Sequence, residues 1–384
     1  MIDPIKFVAA LKESGVSLFT GVPDSLLKSV CDCVDSEFAN MHRSATNEGS
    51  AIGLAIGWYL GAGRPALVYM QNSGFGNAVN PLISLADAQV YGVPMVLLVG
   101  WRGEIMNGQQ LHDEPQHVKQ GAISQALLKL LDIPFEVLGG ECTEPAALAK
   151  RAVDMAFARR GPAAILVRKN TFLPYLIKSP SRVNSVSAFP LTREAAIELV
   201  IGELNDDARI VSTTGMASRE LFELRARRGG RHDLDFLTVG GMGHASQIAT
   251  GLAQSRPDLR IICLDGDGAL LMHLGGLANS AIQSNLLHIV LNNECHDSVG
   301  GQPTRAAGLA LSRVAKSLGY INIMSVSLPD TVAPAVRNLL TSKGSSFLEI
   351  KCRAGARTNL GRPTRTARQN VDDFTASLAR FEKG

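Results

Sequence analysis

The residues best suited to chemistry by type and spacing are Asp265-Gly266-Asp267-Gly268 and, one helix and one strand later, Asn292-Asn293. An apolar run at 260–264 leads into the glycine turn, and a second apolar run ends at the paired asparagines. A glycine turn at the C-terminal end of a parallel strand lets backbone amides and a helix N-terminus approach a phosphate. Gly266 and Gly268 provide that turn. Asp267 and the side-chain oxygen of Asn293 then arrive at neighbouring strand ends as hard ligands. Mg²⁺ prefers such a place, holding a few protein oxygens and completing its octahedron with phosphate and water. An ordinary βαβ unit with a glycine turn and a polar exit accounts for either motif alone. The two together point to a magnesium and diphosphate site.

This segment resembles the signature of thiamine-diphosphate (ThDP) enzymes. The resemblance implies that Asp267 and Asn293 bind Mg²⁺ together with the backbone carbonyl of Cys295. Such a cofactor also needs a carboxyl group beside N1′ of its aminopyrimidine, in a setting apolar enough for a proton to be shared. Glu48, in Ala45-Thr46-Asn47-Glu48-Gly49-Ser50-Ala51, opens an almost wholly apolar helix and fits that need. The plainer reading is a first-turn glutamate favoured by the helix dipole. In Thr238-Val239-Gly240-Gly241-Met242-Gly243-His244-Ala245, Met242 fits the apolar prop beneath the bent cofactor, and Gly240 offers a carbonyl to its 4′-amino group. Met242 packed into the core is the alternative. His244 is expected to line the diphosphate site.

The positioning elements follow from periodicity. Short apolar strand candidates alternate with amphipathic helices, the pattern of parallel α/β sheets. In the first half they fall near 16–20, 66–70, 95–99, 135–138 and 163–168; in the second near 210–213, 235–238, 261–264, 286–291, 321–325 and 346–351. The expected fold is α/β, two doubly wound parallel-sheet domains. One spans 1–170 and the other 191–384, joined by a linker at 171–190 rich in Pro and Ser. By resemblance these are a pyrimidine-binding (PYR) and a diphosphate-binding (PP) domain. Glu48 and Asp267 lie in different halves, so the resemblance implies that active sites form in a homo-oligomer, a dimer or a tetramer.

The 384 residues can bury two cores, and a net charge of +3 is too small to argue for nucleic acid. No apolar run is long enough to span a bilayer, and the charged amphipathic start does not read as a signal peptide. Six cysteines without a CxxC pair fit reduced thiols in a cytoplasmic enzyme.

Several runs narrow the resemblance to the phosphonopyruvate decarboxylase family. They are Gly21-Val22-Pro23-Asp24-Ser25, Tyr69-Met70-Gln71-Asn72-Ser73-Gly74 with Gly76-Asn77-Ala78-Val79-Asn80-Pro81, Gly100-Trp101-Arg102-Gly103-Glu104 and Asp113-Glu114-Pro115-Gln116-His117. His296 to Thr304 and Leu360-Gly361-Arg362-Pro363 complete the set. The implied reaction is decarboxylation of a 2-oxo acid bearing a second anionic group, with the thiazolium ring accepting the electrons released as CO₂ leaves. Asn72 is then assigned to the cofactor, and Asp24, His112 and His117 to catalysis. Arg353, Arg357, Arg362, His296 and Gln302 are the expected substrate contacts, although a basic tail and a self-supporting loop explain the same residues. Sulfopyruvate decarboxylation or carboligation is the alternative chemistry. A nucleotide-binding or non-catalytic α/β protein is the alternative of a different class. Against it, no GxxxxGK[ST] and no strand–GxGxxG–helix unit with a placed acid occurs.

Overall fold

The computed structural model describes residues 1–176, 189–205 and 208–381. The chain divides into two compact units, Met1–Pro180 and Ser181–Gly384. The middle of the expected linker, 177–188, lies outside the described residues. On either side of it the chain is pinned: Phe172 bridges to Ile2, and Thr192 to Arg353.

The first unit contains strands β1 (Leu18–Gly21), β2 (His42–Ser44), β3 (Ala66–Gln71) and β4 (Met95–Gly100), then a short hairpin β5 (Ile105–Met106) and β6 (Gln109–Gln110), then β7 (Phe135–Leu138) and β8 (Pro162–Val167). Six of these form one sheet in the order β2-β1-β3-β4-β8-β7, every pair parallel. Strand β4 is buried along its whole length, with Val96 and Leu98 in one apolar cluster and Met95, Leu97 and Val99 in the other. Burial on both faces explains why its sequence is a continuous apolar run and not an alternating one. Strand β2 is the one the sequence reading lacks. Its three residues, His-Arg-Ser, carry no apolar signal, and it pairs only at the sheet edge.

The second unit repeats the arrangement. Strands β9 (Arg209–Ser212), β10 (Asp235–Leu237), β11 (Ile261–Gly266), β12 (Leu286–Asn292), β15 (Asn322–Val326) and β16 (Ser346–Lys351) form a sheet in the order β10-β9-β11-β12-β16-β15. The hairpin between β13 (Cys295–His296) and β14 (Gln302–Pro303) follows β12. Counting only the main strands of each unit, the order is second, first, third, fourth, sixth, fifth in both. The winding reverses between the first and third strands, and a crevice opens there at the strands' C-terminal ends. Among the described residues no helix is long and apolar enough to cross a membrane.

The β1 exit shows how tightly such a crevice is built. Gly21 has φ +150°, and a Cβ there would lie 2.0 Å from the Tyr69 carbonyl oxygen. Gly21→Ala is expected to lower the unfolding free energy by about 1–3 kcal/mol, or more if the turn cannot shift. Chemical denaturation followed by circular dichroism measures this; a stability equal to the wild type would show that the turn yields freely.

Candidate functional site

In the second unit the sheet register brings the motif residues together. Gly266 pairs with Leu291 across β11 and β12, so the residues that leave the two strands, Asp267 and Asn293, emerge side by side. Asp267 is 2% exposed. Burial pushes its carboxyl up to about 7, against the opposing effect of the Thr304 hydroxyl and of backbone N–H groups at Asp267, Asn293 and Gly268. The Asn293 Nδ2 donates to Asp297 Oδ2 at 2.7 Å, and its Oδ1 accepts the Cys295 N–H at 3.3 Å. Between them Glu294 takes a left-handed conformation, φ +57°. The helix Asp267–Met272 begins without a side-chain cap on Gly266, and the Asp267 carboxylate itself draws the N–H groups of Asp267 and Gly268.

His296 and Gln302 face each other across the β13–β14 hairpin. The His296 ring packs against Gly268, and burial pushes its pKa down to about 4, so it is neutral near pH 7. The β10 exit carries Gly240, Met242 and His244. Met242 is half-buried and belongs to none of the apolar clusters of the described residues. His244 is exposed, its Nδ1 lies 3.0 Å from the Gly241 carbonyl, and its ring lies 4.6 Å from that of His273. The His273 Nε2 is buried and has no hydrogen-bond partner among the described residues.

The arginines after β16 part company. Arg357 is committed to Glu194 and Glu223. Arg353 donates its backbone N–H to the Leu191 carbonyl, and Arg362 lies on the same irregular segment.

In the first unit Glu48 is 6% exposed at the start of the helix Glu48–Ala62, which Asn47 caps by accepting the Ser50 N–H. Burial raises the Glu48 pKa; the Asn77 amide, donating to Oε2 at 2.7 Å, works against that rise. Gly74 leaves room for the carboxylate: a Cβ there would lie 2.8 Å from Oε1. Asp24, fully buried, has its pKa raised by burial, and accepts from Gln71 Nε2 at 2.7 Å and from the Leu26 N–H at 2.9 Å. Asn72 is spent internally, donating to the Arg102 carbonyl and to Ser124. Arg102 grips Asp113 with a two-pronged contact and reaches Ser25. His117 is pushed down to about 4 by burial, and its Nδ1 has no partner among the described residues. His112 is exposed and lines, with Ser25, Arg102 and Lys169, a cavity of about 500 Å³.

These residues fit the implied groups. Asp267 and Asn293 are an oxygen pair in which a dehydrated carboxylate contacts only neutral donors, the setting a hard cation completes. Glu48 is a buried carboxyl met by neutral donors, the Asn77 amide and its own backbone N–H, a setting in which a proton can be shared. The sequence reading did not single out Asn77, Thr304, Asp297 or His273. The first three lie inside or at the end of runs already quoted, but nothing in local spacing says which residue they fold back upon.

Comparison with known proteins agrees with this geometry. Residues 6–127 match the family described as "Thiamine pyrophosphate enzyme, N-terminal TPP binding domain", and residues 213–350 match the corresponding C-terminal TPP binding domain. The chain is 34% identical to a phosphonopyruvate decarboxylase of Streptomyces viridochromogenes, over 98% of this chain and 95% of that one. It is 35% identical to a phosphonopyruvate decarboxylase of Streptomyces hygroscopicus, over 94% and 90% respectively. It is 42% identical to a sulfopyruvate decarboxylase beta subunit of Methanothermobacter thermautotrophicus, over 34% of this chain and 68% of that subunit.

Asn77→Ala removes the donor that favours ionised Glu48. The Glu48 pKa is therefore expected to rise further, so that its ionisation is complete only at higher pH than in the wild type. A ¹³C titration of carboxyl-labelled protein reads this; an unmoved or lowered midpoint would contradict the account of Glu48.

Proposed function

We propose that this chain, which belongs to the phosphonopyruvate decarboxylase family of thiamine-diphosphate enzymes, converts 3-phosphonopyruvate to phosphonoacetaldehyde and CO₂ with Mg²⁺ as its metal. The observation that carries the substrate is the near full-length likeness to two phosphonopyruvate decarboxylases. When bound, thiamine diphosphate supplies the electron sink that loss of CO₂ from a 2-oxo acid requires.

The rest is work for the chain's own residues. Glu48 would hold the proton beside N1′ of the aminopyrimidine, and burial raises its carboxyl above the ordinary glutamate value. Asp267, Asn293 and the Cys295 carbonyl hold Mg²⁺; Gly266, Gly268 and His244 border the diphosphate, and Asn72 fixes the loop beside Glu48. Met242 would support the bound cofactor, and the Gly240 carbonyl would accept from its amino group. Asp24, whose carboxyl burial pushes above its ordinary value, acts on the substrate with His112 and His117. Arg353 and Arg362 anchor its anionic groups with His296 and Gln302, while Arg357, held by two glutamates, braces that segment.

In this reading residues 1–170 are the PYR domain and 191–384 the PP domain, joined through 171–190. The protein is cytoplasmic and self-associates, as a dimer or tetramer, so that one copy's Glu48 serves another's Asp267. The helix Glu48–Ala62 supports this. Gly53, Gly57 and Gly61 recur every fourth residue with open space before them, and Leu54, Trp58 and Leu60 are exposed. An apolar helix face of that kind suits close approach by a second copy.

A turnover assay offers phosphonopyruvate, sulfopyruvate and pyruvate, with ThDP and Mg²⁺ added or withheld, and follows CO₂ and aldehyde. Phosphonopyruvate is expected to have the highest kcat/KM, and only with both additions; best turnover of pyruvate would sink the reading. Best turnover of sulfopyruvate would favour the second reading, which rests on the likeness to the sulfopyruvate decarboxylase subunit. Glu48→Gln is expected to lower kcat by about 10²–10⁴-fold, leaving the ThDP dissociation constant little changed. Full activity in that variant would remove Glu48 from the mechanism.

A further inference from the structure

One charged network in the second unit is not absorbed by the roles above. Asp297, in the loop between β13 and β14, is the meeting point of four groups. It accepts the Asn293 Nδ2 at 2.7 Å, the Arg193 Nη1, the Cys295 thiol at 3.1 Å and the Gly355 N–H at 2.9 Å. Arg193 is the first residue of the helix Arg193–Gly202 and is itself fixed by Glu220 through two bonds, at 2.8 and 2.9 Å. Arg193 is 6% exposed and Glu220 1%. A buried guanidinium gripped on both sides cannot rotate to follow a moving partner, so Asp297 is held in place.

We propose that Asp297 is a positioning residue for the divalent cation, orienting the Asn293 amide so that its Oδ1 faces the ion. A carboxylate can only accept, so the group that Asn293 turns toward Asp297 must be its NH₂, and the amide oxygen must point the other way. That oxygen accepts one backbone N–H, from Cys295, and keeps a second lone pair for a metal. Without Asp297 the amide NH₂ loses its acceptor, and only the 3.3 Å bond from the Cys295 N–H opposes a flip that would turn NH₂ toward the cation.

The Gly355 N–H extends the same support to the segment that carries Arg353 and Arg362. The inference rests on the reading that Asp267 and Asn293 hold the ion, and the test separates the two.

Mn²⁺ is titrated into the ThDP-loaded protein and free ion is read by electron paramagnetic resonance, with thermal melting of the metal-free protein in parallel. Asp297→Ala is expected to raise the Mn²⁺ dissociation constant by about 10–100-fold, the range for groups that orient a metal ligand. Asp267→Ala is the control. If it leaves Mn²⁺ binding unchanged, the cation site is misplaced and the proposal falls with it. If it weakens binding while Asp297→Ala lowers only the melting temperature, the positioning role alone is overturned. Should Asp297→Ala fail to fold, Asp297→Asn takes its place. It keeps an acceptor but loses the charge that holds Arg193, and a weakening of at least about threefold is expected. Wild-type affinity in that folded variant also overturns the proposal.

Discussion

Carboxylates held out of water at the ends of parallel strands are the constraint around which this structure is arranged. Moving an ionised carboxylate from water into a protein interior costs several kcal/mol even after relaxation, so each one needs donors, a shared proton or a cation. The chain answers in two ways. Glu220 and Asp297 are given an arginine, and Asp113 another. Glu48, Asp24 and Asp267 are in contact only with neutral donors, from Asn77, Gln71 and Thr304 with nearby amides. The difference shows in two carboxyls that feel the same Arg102: it keeps Asp113 low, overcoming its partial burial, while burial outweighs it at Asp24. Carboxylates of the second kind are left needing a proton or a positive ion, the condition of a working site.

Such groups have to be brought to the right places, and the doubly wound sheet does that once in each unit. The β1 and β3 exits carry Asp24 and Asn72, and the β9 and β11 exits carry Thr213 and Asp267. In both units these strands flank the point at which the winding reverses, where the helices diverge and leave a crevice. One architecture therefore offers a carboxyl-lined crevice in one unit and a carboxylate beside an uncapped helix start in the other. The chemistry differs because the loops differ, and the frame does not.

The loops are in turn held by polar contacts made at long sequence range. Thr304 reaches back to Asp267, Asp297 to Arg193, and Gly355 to Asp297. These bonds close the β12 exit, the hairpin that follows it and the segment after β16 into one connected piece. Arg357, clasped by Glu194 and Glu223, fastens the same segment to the helices that follow Thr192 and Gly215. A loop so tied keeps its side chains in register with the strand ends and loses little freedom when a ligand arrives.

The sequence by itself determined the α/β class and eleven of the twelve main strands of the described residues, because the central strands, buried on both faces, are uninterrupted apolar runs and the edge strands β7, β10 and β15 still carry apolar residues. It also singled out Glu48, Asp267 and Asn293, because a carboxylate opening an apolar helix and a glycine turn answered by paired asparagines are local patterns. Strand β2 was invisible, since His-Arg-Ser has no apolar residue and is held by its neighbour's backbone. Only the tertiary structure decided that Asn77 is the donor to Glu48, that Thr304 and Asp297 support the strand-end pair, and that Arg357 is spent on two glutamates. Each of those is a pairing between residues far apart in the chain, fixed by where the sheets and loops bring them and by the high cost of leaving a buried polar group unmatched.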